Sequence, residues 1–131
     1  MATIRIPPGF KEFLWLLKVH EDRFLLVGGY AVNAFGYVRN TVDIDVWIAS
    51  TRENQTRVIQ AIREFGFGAT PFDVLDGPKA MLRMGNPPLR IEVLKTISGV
   101  EFDACWDHRV ALQIEELQIP MISLADLSNL P

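Results

Sequence analysis

Two aspartates, Asp43 and Asp45, stand one residue apart inside the apolar run Val42-Asp43-Ile44-Asp45-Val46-Trp47-Ile48. In an extended strand, residues i and i+2 point the same way, about 6.5 to 7 Å apart. Both carboxylates therefore fall on one face, with Trp47, while Val42, Ile44, Val46 and Ile48 fall on the other. Like charges side by side repel, and each wants water or a cation. Hard divalent ions such as Mg²⁺ or Mn²⁺ take oxygen ligands, often one or two carboxylates together with substrate phosphates. The pair thus suits a place where a metal meets a phosphorylated ligand. An Asp-x-Asp pair is also what a solvated strand face carries, so the surrounding chain has to decide between the two.

Upstream, the apolar run Phe24-Leu25-Leu26-Val27 closes on Gly28 and Gly29. Glycine permits positive φ and lets backbone N–H groups approach a phosphate closely. A glycine pair between a strand end and a helix start also meets the helix dipole, which favours anions. Gly28 and Gly29 are therefore candidate phosphate grips, with a plain tight turn as the alternative.

Around these residues the periodicity predicts the elements that would position them. After Pro7, Pro8 and Gly9, the spacing of Phe10, Phe13, Leu14 and Leu17 predicts a helix over 9–19. Phe24 to Val27 reads as a buried strand, Tyr30 to Phe35 as a short helix ended by Gly36, and 42–48 as the strand bearing the aspartates. Ser50 and Thr51 are N-cap candidates for a second long helix whose apolar stripe is Val58, Ile59, Ile62 and Phe65, with Gly66 at its C-terminal cap. Strands are expected at 79–84 and 89–94, paired as a hairpin through Gly85, Asn86, Pro87 and Pro88. A short helix at 100–107, an edge strand at 110–117 and a last helix at 123–130, capped by Ser123 with Asp126 three residues on, complete the reading. The expected architecture is an α/β (α+β) domain over 1–131, with a mixed sheet of about four to five strands flanked by helices. The shortness of the last helix suggests a C-terminal helix that continues beyond this sequence or comes from a partner.

The stretch Leu25-Leu26-Val27-Gly28-Gly29-Tyr30-Ala31, followed by Arg39-Asn40-Thr41-Val42-Asp43-Ile44-Asp45-Val46, resembles the nucleotidyltransferase superfamily that includes polymerase beta. Its signature is an apolar strand, a Gly-Gly or Gly-Ser pair, a short helix, then Asp-x-Asp on the next strand. The Gly-Gly-Tyr-Ala form, with tyrosine where many members have serine, is similar to a branch of small bacterial proteins linked to toxin–antitoxin systems. The resemblance implies a third carboxylate on a later strand, and Glu92 in Leu89-Arg90-Ile91-Glu92-Val93-Leu94 is the best match, although the family more often has aspartate there. It implies catalytic and metal-binding roles for Asp43, Asp45 and Glu92, with Mg²⁺ or Mn²⁺ between them and a nucleoside triphosphate such as ATP. It implies transfer of a nucleoside monophosphate to a hydroxyl of an RNA, protein or small molecule by in-line displacement. Arg39 would neutralise phosphate charge, for which a guanidinium is well shaped. The branch implies a toxin or antitoxin protein as partner. An antibiotic-modifying nucleotidyltransferase and a degenerate domain that only binds are the other readings left open.

Composition sets the outer bounds. At 131 residues and 49% hydrophobic, the chain can bury a real core. Thirteen basic against sixteen acidic residues leave a formal charge of −3, so no global basic field draws it to nucleic acid. One cysteine, Cys105, excludes an internal disulfide framework, and no run reaches the length of a signal peptide or membrane span. A cytoplasmic protein without a membrane partner is the expectation. His20 is read as supporting a helix C-terminus, His108 as a surface residue, Cys105 and Trp106 as packing a helix face, and the aromatic residues as core.

Overall fold

The computed structural model describes residues 6–36, 43–86 and 90–130. In chain order the elements are α1 (Pro8–Val19), β1 (Phe24–Val27), α2 (Gly28–Ala34), β2 (Asp43–Ile48), α3 (Arg52–Glu64), β3 (Met81–Met84), β4 (Arg90–Leu94), α4 (Phe102–Asp107), β5 (Val110–Ile114), β6 (Leu117–Met121) and α5 (Leu124–Leu127). The strands form one six-stranded mixed sheet in the order β3-β4-β2-β1-β6-β5. β2 lies antiparallel to β1 and parallel to β4, and β3 closes an antiparallel hairpin on β4. β6 meets β1 in parallel through one paired position, Leu26 with Met121, supported by the Ile122 N–H donating to the Leu26 carbonyl at 3.1 Å. The β5–β6 hairpin forms the far edge.

Alternation along β2 and β4 explains how the sheet is both core and platform. Ile44, Val46, Ile91 and Val93 are buried on one face, whereas Asp43, Asp45, Arg90 and Glu92 remain partly accessible on the other. Phe13, Leu14 and Leu17 of α1, with Val58, Ile59 and Ile62 of α3, supply the helical side of the core. On the acidic face of β2, Trp47 is covered by an edge-on contact with Phe102 at 5.3 Å between ring centres, and its Nε1 donates to the Lys95 carbonyl at 3.2 Å. Central β1 is buried along its whole length.

The start of α3 fastens the middle of the sheet. Asn54 is 3% exposed; its amide donates to the carbonyls of Arg23 and Ala49, and its Oδ1 accepts from the Arg23 N–H at 2.6 Å. These bonds join the residue entering β1 to the residue leaving β2. Thr51 is the N-cap, its hydroxyl accepting from the Asn54 N–H at 3.2 Å. Thr51→Ala is expected to cost about 1 kcal/mol in urea unfolding, with an unchanged slope because only one capping bond is lost.

Several expected boundaries move. The sheet has six strands rather than four to five, because the edge strand expected at 110–117 is two strands turning at Glu115, whose φ is +53°. The short helix begins at Gly28, so the glycine pair forms its first turn rather than preceding it. α4 starts at Phe102, and α5 spans only Leu124–Leu127, with Ser123 accepting from the Asp126 N–H. Trp15, Phe67 and Phe72 are exposed rather than core, and Phe72 carries the Arg63 guanidinium 4.0 Å above its ring centre. Arg39, the start of the aspartate strand at Val42, and the turn at 87–89 lie outside the described residues. Among the described residues, no helix is long and apolar enough to cross a membrane.

Candidate active site

β2 and β4 run in parallel with Asp45 directly opposite Glu92 and Asp43 opposite Arg90. Since equivalent residues of neighbouring strands share a face, the three acids expected from the sequence lie together on one side of the sheet. Asp45 and Glu92 face one another across the β2–β4 register, where the charge of each acts on the other. Two ionised carboxylates side by side repel, and a cation between them would relieve that repulsion. Burial raises the pKa of Asp45 well above the ordinary carboxylate range, the hydrogen bond and charge of Glu92 and the charge of Asp43 add to this, and Arg90 opposes it.

Gly28 stands at the end of β1, next to Val27, which pairs with Asp45. Its φ is +72°, and a Cβ built on it would lie 2.1 Å from Asp45 Oδ2. The glycine therefore makes room for the carboxylate, a constraint separate from any approach of backbone to phosphate.

Two arginines that the sequence reading did not place in the site neutralise the other acids. Arg90 grips Asp43 with two bonds, Nε to Oδ1 at 3.1 Å and Nη2 to Oδ2 at 2.8 Å. Arg83, opposite Glu92 in the β3–β4 hairpin, donates from Nε to Oε1 at 2.7 Å. Alternation of Arg83 within Met81-Leu82-Arg83-Met84, once registered on β4, was the signal for it. Both pairs are partly solvated, so water screens the attraction between their charges. Among the described residues, no three His, Cys, Asp or Glu side chains converge closely enough to hold a metal ion in this arrangement, because Asp43 is turned to Arg90. The donors nevertheless fit a hard cation in kind: Asp45 and Glu92 offer carboxylate oxygens from paired positions of neighbouring strands, and Asp43 lies two residues away on the same face. A groove of about 620 Å³ is lined by Lys18, Trp106, Arg109 and strands β5 and β6, and none of the three acids borders it.

His20 follows α1 and meets Glu64 of α3 at 2.6 Å, and His108 meets Asp126 at 3.1 Å. Cys105 is buried in α4, and Trp106 stacks on Phe102.

A six-stranded mixed sheet flanked by helices, in this strand order, is the nucleotidyltransferase fold. A solved Thermotoga maritima protein, provisionally named a nucleotidyltransferase, superposes with a TM-score of 0.65 at 11% identity, over 95% of this chain and 83% of its own. No family model and no curated protein matches the sequence.

Proposed function

We propose that this protein is a metal-dependent nucleotidyltransferase that moves a nucleoside monophosphate from a nucleoside triphosphate, such as ATP, to a hydroxyl of an RNA, protein or small molecule. The observation that carries this reading is the placement of Asp45 opposite Glu92 on neighbouring parallel strands, beside Gly28, in a fold shared with a provisionally named nucleotidyltransferase. Asp45 and Glu92, with Asp43, would hold Mg²⁺ or Mn²⁺. Bound there, the metal would supply activation of the acceptor hydroxyl and charge stabilisation at the leaving pyrophosphate. The chain itself aligns its acids by strand register, keeps their backs dry with Ile44, Val46, Ile91 and Val93, and spaces Asp45 from β1 with Gly28. Gly28, Gly29 and Arg39 are proposed as contacts to the triphosphate. The toxin–antitoxin resemblance supports a cytoplasmic role with a cognate toxin or antitoxin protein as partner.

The test is incubation with Mg²⁺ and each α-labelled triphosphate in a whole-cell RNA and protein extract, beside Asp45→Asn. Asparagine has the shape of a protonated aspartate, so the variant should fold. Wild type is expected to label specific bands and the variant none; equal labelling by both would dismiss Asp45 as a metal ligand. The pairing of Arg90 with Asp43 and of Arg83 with Glu92 favours a second reading, a binding module whose acids are satisfied without metal. Titration with Mn²⁺ and nucleotide separates them, because a module of that kind takes up nucleotide without metal dependence or not at all.

A further inference from the structure

We infer that Arg83 and Arg90 are exchangeable counter-ions, which neutralise Glu92 and Asp43 in the metal-free protein and pass to the phosphates of an incoming nucleotide when a divalent cation takes those carboxylates. The inference rests on the metal-dependent reading above and assigns it two phosphate-binding residues.

Position is the first support. Both arginines project from the acidic face, Arg90 opposite Asp43 and Arg83 opposite Glu92, so a short swing about the side-chain bonds is enough to leave a carboxylate without moving a strand. Donor capacity is the second. A guanidinium has five N–H donors and stays charged at any working pH. Among the described residues, Arg83 uses only Nε, and its side chain is 56% exposed. Arg90 already presents the two-pronged edge, through Nε and Nη2, that suits a phosphate as well as a carboxylate.

Charge balance is the third. Among the described residues of β2, β3 and β4 on this face three acids stand against two guanidiniums, and Asp45 is the acid that neither guanidinium bonds. Adding a divalent ion turns the excess positive, and the anionic triphosphate restores the balance if the arginines turn to it. A permanent structural role would instead have the guanidiniums stay on the carboxylates and compete with the metal throughout.

The experiment is calorimetric titration of the full chain, as wild type, Arg83→Gln and Arg90→Gln, first with Mn²⁺ alone and then, at saturating Mn²⁺, with a triphosphate analogue carrying a methylene between the α and β phosphorus atoms. Loss of either counter-ion is expected to tighten Mn²⁺ binding, while the analogue binds roughly tenfold more weakly. Opposite signs for the two ligands are what exchange requires and what a merely structural arginine does not produce. Arg83→Lys and Arg90→Lys, which keep the charge but lose the planar fork, should fall between wild type and glutamine for the analogue and cover the case of a glutamine variant that fails to fold. If wild type binds Mn²⁺ and the variants bind both ligands as wild type does, or lose both together, the exchange is overturned. If none of the proteins takes up Mn²⁺, the metal-dependent reading fails, and the exchange with it.

Discussion

Gly28→Ala is expected to lower the unfolding free energy by about 2–4 kcal/mol, and to weaken Mn²⁺ binding in whatever protein folds. The new methyl would sit 2.1 Å from Asp45 Oδ2 and 3.0 Å from its Cγ, on a backbone at φ +72° that disfavours any side chain. Asp45 has little freedom to retreat, because its strand is registered on Val27 of β1 on one side and on Glu92 of β4 on the other. Gly36→Ala separates the two penalties. That glycine also has positive φ, +96°, but among the described residues nothing lies within 4 Å of the added carbon. It should cost only the backbone strain, roughly 1–2 kcal/mol, and leave Mn²⁺ binding alone. Parallel denaturant titrations give the comparison, and a Gly28 variant as stable as the Gly36 variant would show that Asp45 moves aside without difficulty.

A second large effect belongs to Asp22, in the turn between α1 and β1. It is 7% exposed, and neither carboxylate oxygen has a hydrogen-bond partner among the described residues. Burial pushes its pKa from 3.8 up to about 8, with Arg57 pulling the other way. The folded protein therefore holds a proton there that the unfolded chain releases near pH 4. Between pH 4 and 8 the native state binds more protons, so stability falls as pH rises through that window. The slope from this one group is about 1.4 kcal/mol per pH unit, approaching roughly 5 kcal/mol over the whole window. Asp22→Asn replaces the protonated acid with a neutral group of the same shape. Melting curves of wild type and variant should nearly coincide at pH 4 and diverge progressively to pH 8, with the variant the more stable. A constant offset between them would mean that Asp22 ionises in the fold without penalty.

What the sequence made legible was local. The alternation of β2 placed its end at Ile48, and the apolar stripe of α3 with the start signal at Thr51 located that helix, because each element has a single period. The face shared by Asp43 and Asp45 followed from the same alternation. The pairing of Asp45 with Glu92 needed the parallel register of β2 on β4, a tertiary fact, and came instead from resemblance. Arg90 was visible beside Glu92, but its grip on Asp43 depends on that same register, as does Arg83 on the hairpin. The β5–β6 turn was missed for a chemical reason. Glu115 adopts positive φ without glycine or asparagine to advertise it, and Pro120, which argues against a strand interior, lies beside the one position pairing β6 with β1.

That narrow junction divides the sheet into unequal parts. Strands β3, β4, β2 and β1 form a plate bearing the acids, and β6 with β5 form a leaf joined to it along a seam one paired position long. The leaf's outer tip is latched to α1 by Lys11, which meets Glu115 and Glu116. Opening would therefore start at the seam and spread into the leaf, while the plate keeps its register and its chemistry.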